Sequence, residues 1–330
     1  MNLHKLSSSL CVLSIAAFAS LSAAAATFYY DAYGGFISGT DVPSGTGTFA
    51  NDPDTATGGG AFDVGADADA RMAAGRFVDV SWGSPQGSLG PYAGQSGLAL
   101  SKVNNGTVVT DGVPVDFGRL THFNRPISDP ATEWLTTVQL DWTLQLYATS
   151  GDAGSDVNPI KTIDLRFTIY NWETPNVPDS NPAYQVSFDG GATWTTGPAG
   201  VCPGSYPVGT LVVGPLGKVY RSEQPDRPDN PVWNGQCADA HIYEAAGSNS
   251  YQFTHNGRDY VVELSGFYNM VGVLTGTFWA CEANECFGTV KMRIRDQTTD
   301  AQIPTLSEWA LVVLAAMMVA TGLLVVRRRS

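Results

Sequence analysis

Few side chains in this 330-residue chain are equipped for chemistry. Apart from His4, its imidazoles are His122, His241 and His255. His122 lies in the string Leu120-Thr121-His122-Phe123-Asn124-Arg125-Pro126-Ile127. On an extended chain His122 and Asn124 share one face, while Thr121 and Phe123 share the other. Pro126 forces Arg125 out of the helical region. An imidazole beside a carboxamide could serve as a base, but it serves equally well as a hydrogen-bonded strand end, and that is the reading adopted here. Asp239 and His241 fall on one strand face with no third partner indicated. His255 adjoins a turn, which puts it in water. Gly94-Gln95-Ser96-Gly97-Leu98 has Leu98 where a nucleophile elbow needs glycine. Zinc-protease, phosphate-loop and dinucleotide fingerprints do not occur. Carboxylates are too numerous for a glycosidase pair to stand out. No catalytic residue is therefore assigned.

Asp63, Asp67 and Asp69 could gather round Ca²⁺, and Asp152 with Asp156 offers a weaker set. Neither stretch has the residue order of an EF-hand, and a solvated acidic loop is the simpler reading. No cofactor is expected, with Ca²⁺ as the alternative. Trp82, Tyr92, Trp194 and Trp233 lie near loops or strand ends. Such rings can stack on sugars, although packing is their commoner use.

Beyond Cys11, four cysteines remain: Cys202, Cys237, Cys281 and Cys286. In an oxidising compartment they make two disulfides, with three pairings open. Cys281-x4-Cys286 suits a local clasp, which leaves Cys202–Cys237 to staple the Pro/Gly-rich excursion between them. The spacings lack the paired C-x2-C of a zinc site.

These groups must be positioned by strands. Val138, Leu140, Trp142, Leu144 and Leu146 alternate with polar residues, as do Ile163, Leu165, Phe167 and Ile169, and again Val290, Met292 and Ile294. Period two with one polar face predicts antiparallel sheets packed on one side. Asn256-Gly257 predicts a two-residue hairpin. Residues 39–70, 149–159 and 221–231 read as loops. The expected class is all-β, an antiparallel sandwich or jelly roll with long loops, as one domain over 27–296.

The two ends are of another kind. Residues 1–26 have a weak basic start, a short apolar core and Ala24-Ala25-Ala26 as a cleavage site, the build of a signal peptide read by the Sec machinery. Cys11 follows Leu10 inside that apolar core, which argues against lipidation. Residues 297–302 form a short stem. The segment 303–330 then carries Ile303, Pro304, Thr305, Leu306 and Trp309, an uncharged run from 310 to 326, and Arg327, Arg328 and Arg329. As a helix that run spans roughly 26 Å, near the hydrocarbon thickness of a bilayer. Trp309 suits the interface, and the arginines would stay inside. A transmembrane helix over 309–326 with a basic stop at 327–329 is expected. The formal charge of −13 becomes more negative once the basic ends are set aside. Such a surface repels phosphate backbones, so nucleic acid is not an expected partner.

Three strings resemble known motifs. Ile303-Pro304-Thr305-Leu306-Ser307-Glu308-Trp309, with its helix and arginines, resembles the IPTL-CTERM sorting signal of Gram-negative bacteria. That resemblance implies transit through the inner membrane, processing by an exosortase and transfer to the cell surface. The family usually has glycine after the tryptophan, where this chain has Ala310. Thr121, His122, Asn124, Pro126 and Ile127 match the signature of the THxN family, related to the choice-of-anchor K domain, with support from Trp82-Gly83, Ser96-Gly97-Leu98 and Cys237-x-Asp239. This implies an exported domain without established chemistry. Ser187, Asp189, Gly191, Thr193 and Trp194 fit the Asp-box hairpin of sialidases and other propellers. Propellers repeat that motif and here it occurs once, so a structural hairpin is expected. Together these readings describe an exported, surface-sorted, non-enzymatic envelope or matrix protein, structural or adhesive, with exopolysaccharide as a partner. The alternatives are a carbohydrate- or calcium-binding module and an extracellular glycan hydrolase.

Overall fold

The computed structural model describes residues 25–37, 48–50, 71–72, 74, 76–83, 96–124, 135–174, 184–214, 217–222, 232–233, 236–269, 272, 274–280, 284–297, 313 and 316. Residues 1–24 of the expected signal peptide, the calcium candidates Asp63, Asp67 and Asp69, Tyr92, Pro126, Ile127, Cys281, the stem beyond Gln297 and the expected membrane helix lie outside these residues, apart from positions 313 and 316. Among the described residues no helix is long and apolar enough to cross a membrane.

The chain runs through β1 (Thr27–Ile37), β2 (Thr48–Ala50), β3 (Arg76–Phe77), β4 (Asp79–Trp82), β5 (Ser96–Ser101), β6 (Val103–Val109) and β7 (Val115–Asn124). Then come β8 (Thr137–Tyr147), α1 (Ser150–Gly154), β9 (Lys161–Trp172), β10 (Gln185–Ser187), β11 (Thr195–Thr196), β12 (Leu211–Val213) and β13 (Val219–Arg221). The remainder is β14 (Val232–Trp233), β15 (Gln236–Cys237), β16 (Asp239–Ala245), β17 (Ser250–His255), β18 (Arg258–Tyr268), β19 (Leu274–Thr275), β20 (Thr277–Ala280) and β21 (Asn284–Asp296).

Two large sheets form, and all their pairings are antiparallel. The first has the order β20-β16-β9-β8-β1-β3, with β6 also on β1. The second has the order β17-β18-β21-β7-β5-β4-β2, with β19 on β18. The alternation written into β8 and β9 explains the arrangement. Val138, Leu140, Trp142, Leu144 and Leu146 are buried, and so are Ile163, Leu165, Phe167 and Ile169. These side chains join Leu98, Leu120, Val262, Val290, Met292 and Ile294 of the second sheet in one hydrophobic cluster. The fold is thus a two-sheet sandwich with a shared interior. Trp142 lies across Gly118 so closely that an added Cβ there would fall 1.7 Å from its Cζ2. The predicted hairpin joins β17 to β18, with Asn256 at φ 50° and Gly257 at φ 74°, the left-handed pair such a turn requires.

Several features depart from the sequence expectation, among them β2 within the stretch 39–70 read as loop. The acidic stretch 149–159 is not all loop. Thr149 caps α1 by accepting from the Asp152 backbone amide and donates to the Asp152 carboxylate at 2.6 Å. A small sheet, in the order β11-β10-β12-β13, also packs on the outer face of the first sheet. A second cluster of Trp172, Tyr184, Val212, Tyr220, Ile242 and Trp279 joins them. This explains why β9 carries outward-facing Tyr170 and Trp172 after the polar Asp164 and Arg166. The disulfide Cys202–Cys237, with Cα atoms 5.1 Å apart, ties the approach to β12 to the strand before β16. The companion pairing Cys281–Cys286 falls outside the described residues at Cys281. Cys286 itself is buried on β21 opposite His122.

Candidate functional site

The polar residues of interest converge inside the sandwich, at one end. His122 is brought to the inner face of β7 by the register that pairs it with Leu98 on one side and Cys286 on the other. His241 reaches the inner face of β16, paired with Asn171 and Phe278. Across the gap, His241 Nε2 and His122 Nδ1 share a hydrogen bond of 2.9 Å. Both residues are 0% exposed. Trp82 stacks on His122 at 5.6 Å, and Phe278 stacks on His241 at 5.8 Å. Their remaining nitrogens, His122 Nε2 and His241 Nδ1, have no hydrogen-bond partner among the described residues.

Two more links run between the sheets beside this pair. Trp82 Nε1 donates to Glu173 Oε2 at 2.9 Å, and Asn124 Nδ2 donates to the Ala280 carbonyl at 3.3 Å. On the first sheet the cluster continues outward. The Thr174 amide donates to Asp239 Oδ1 at 2.7 Å, the Thr174 hydroxyl donates to the Cys237 carbonyl, and Asn171 Nδ2 donates to the Leu135 carbonyl.

Burial dominates the electrostatics. It holds the His122 imidazolium well below its ordinary range, aided by repulsion from His241, and it brings His241 down to about 3. It pushes Glu173 up to about 7, against the stabilising hydrogen bonds of Trp82, Asp239 and Asn171. The two imidazoles are neutral at physiological pH, and one N–H serves the other ring's lone pair. This chemistry suits a structural seam. A general base must meet its substrate's proton, whereas both rings are wholly buried.

Several sequence-predicted residues take other places. Thr121 faces away from His122 and accepts from Arg119 Nε at 3.2 Å. Asp239 and His241 do share a face, but Asp239 serves Thr174. Ser96 is an interior residue at the start of β5, opposite Trp82, and does not sit on a strand-to-helix elbow. Trp82 is fully buried, in line with the packing use preferred for it over sugar stacking. The Asp152 carboxylate accepts from the Thr149 hydroxyl at the start of α1, while Asp156 pairs with Arg71 at 2.6 Å, so the two turn to different partners. Among the described residues no three His, Cys, Asp or Glu side chains could hold a metal ion. Glu173 escaped the sequence reading altogether. Its only signal was the two-residue period extended past the end of β9.

The Asp-box string forms the turn between β10 and β11. Ser187 Oγ donates to Asp189 Oδ1 at 2.7 Å and accepts from the Gly191 amide. Thr193 donates to Asp189 through both its hydroxyl, at 2.6 Å, and its amide, at 2.9 Å. The Thr193 hydroxyl and amide, with Ser187, hold the Asp189 carboxyl down to about 2. Trp194 lies under the turn, 3.6 Å from where a Cβ on Gly191 would stand. The carboxylate's acceptor capacity is thus directed at the hydroxyls and amide of its own turn.

Residues 301–329 match the family model of the IPTL-CTERM motif. The match spans Ile303, Pro304, Thr305, Leu306, Trp309 and the three arginines. This is a C-terminal sorting signal for exported surface proteins, and it implies processing by exosortase-type machinery. No curated protein matches the chain.

Proposed function

We propose that this chain is a non-enzymatic surface protein of a Gram-negative envelope or extracellular matrix, structural or adhesive, with its tail removed by an exosortase after transit through the inner membrane. The sorting signal at 301–329 supports the destination. One observation carries the non-enzymatic part: the two imidazoles best placed to act as bases, His122 and His241, are wholly buried and bonded to each other. The likeness of 120–127 to the THxN family supports an exported domain of this kind. A disulfide between Cys202 and Cys237 fits an oxidising compartment. On this reading the protein needs no cofactor. Calcium binding and glycan hydrolysis fall behind it, because the acidic side chains described at 152, 156 and 189 are engaged by their own neighbours.

The test is intact-mass analysis of the mature protein recovered from the cell surface. The proposal expects a C-terminus near residue 303 and no triple-arginine end. A surface protein still carrying Arg327, Arg328 and Arg329 refutes processing.

A further inference from the structure

The outer face of the first sheet holds a groove of about 770 Å³, clear of the small sheet that covers the other end. Its volume lies within the range of roughly 300–1,000 Å³ typical of small-molecule sites. Outward positions of β1, β8 and β9 form its floor and Arg71 and Arg76 form a wall. The polar groups there are locked to one another. Asp141 accepts from Arg76 Nε at 2.9 Å and from Arg166 through two bonds of 2.6 and 3.0 Å. Partial burial raises the Asp141 carboxyl, but these guanidiniums hold it below its ordinary value. Thr143 Oγ1 donates to Asp164 Oδ1 at 2.9 Å. Arg71 donates to Asp31, to Gln145 and to Asp156, and its guanidinium lies 4.3 Å from the Tyr33 ring centre. Asp31 is 1% exposed and also accepts from the Asn105 amide at 2.6 Å.

We infer that this groove binds an uncharged, polyhydroxylated ligand, a stretch of neutral saccharide. A hydroxyl group is donor and acceptor at once. An interlocked lattice of guanidiniums, carboxylates and threonine hydroxyls offers fixed donors and acceptors side by side, matched to neighbouring hydroxyls. Its charges nearly balance. An anionic ligand would meet Asp141 and Asp164, and a cationic one would meet Arg71, Arg76 and Arg166. Ion pairs at this exposure add little to stability, so holding three arginines in place is better explained by recognition, where fixed side chains lower the entropic cost of binding. The inference rests on the surface-protein reading above, because an envelope protein meets glycans in that setting.

The experiment applies the full chain, purified in detergent, to an array of neutral and anionic oligosaccharides. Wild type is compared with Thr143→Trp, which fills the groove, with Asp164→Asn, which removes a charged acceptor while keeping its shape, and with Thr254→Trp on the opposite sheet as a control. Circular dichroism melting shows that each variant folds. The expected result is neutral-glycan binding that falls about tenfold or more in the two groove variants and is unchanged in the control. A blank array, a signal dominated by anionic glycans, or binding retained by Thr143→Trp overturns the inference. The mass of the mature C-terminus is read separately. A blank array with a processed surface protein sinks the groove alone, while an intact tail sinks the sorting reading.

Discussion

The buried imidazole pair makes the domain sensitive to acid in a calculable way. In the unfolded chain both His122 and His241 take up a proton near pH 6.5. In the fold both are held far below that, so the folded state binds fewer protons than the unfolded state. Stability is therefore complete above pH 6.5 and falls as the pH drops beneath it, levelling for His241 near pH 3. At pH 5 each unfolded imidazole lies about 1.5 pH units below its midpoint, a cost of about 2 kcal/mol per ring and about 4 kcal/mol for the pair. Glu173 works the other way. Its folded value is raised to about 7, so its cost grows as the pH rises past 4.5 and levels beyond 7. Comparing wild type with the double variant His122→Phe/His241→Phe removes the Glu173 contribution, which both proteins share. Urea unfolding at pH 7.5 and at pH 5 should show the stability gap between the two proteins shifting by about 4 kcal/mol in favour of the variant at the lower pH. The absolute gap at either pH includes the altered packing, but the shift does not. A gap that stays constant between these pH values refutes the sealed, neutral pair.

Two further perturbations test the packing. Gly118→Ala drives a methyl group into the Trp142 ring, which Phe117 and Phe167 already flank, and should cost about 1–3 kcal/mol, read as a lower Tm. Replacing Cys202 and Cys237 together by serine releases the 35-residue closure and should cost about 3–4 kcal/mol in denaturant unfolding. An unchanged midpoint would show that the staple adds nothing.

The strands were legible because β8, β21 and β9 up to Ile169 pack one face only, and a one-sided strand prints its period into the chain. The Asn256-Gly257 turn was legible because few sequences tolerate two successive positive φ values. The small sheet was hidden for the converse reason. Its strands have only two or three residues, too few to display a period, and its partner surface on β9 reads as polar alternation until Tyr170 and Trp172 interrupt it. The site divides along the same line. His122 and Asn124 could be placed on one face by counting along a single strand. That the face looked inward, and that His241 lay opposite on the other sheet, depended on a contact between positions 119 residues apart. No local pattern encodes such a contact.

That long-range contact has a consequence for how the sandwich is specified. Among the described residues, hydrogen bonds cross between the sheets at this end from Trp82 to Glu173, between His122 and His241, and from Asn124 to the Ala280 carbonyl. A hydrophobic interior alone would tolerate sliding of one sheet over the other, since Leu, Val and Phe contacts are non-directional. A slip of β7 by one residue would turn His122 and Asn124 to the opposite face and bring Thr121 and Phe123 inward. It would take the His122 partner from the His241 ring and the Asn124 donor from the Ala280 carbonyl, and each such loss costs about 1–3 kcal/mol. Against a total stability of about 5–15 kcal/mol, the penalty for the wrong register is decisive even where the gain from the right one is small. The polar seam therefore adds to the hydrophobic alternation in fixing which face of β4, β7 and β16 looks inward. On β8 and β9 the alternation itself sets Asp141, Asp164 and Arg166 on the surface where the groove is formed.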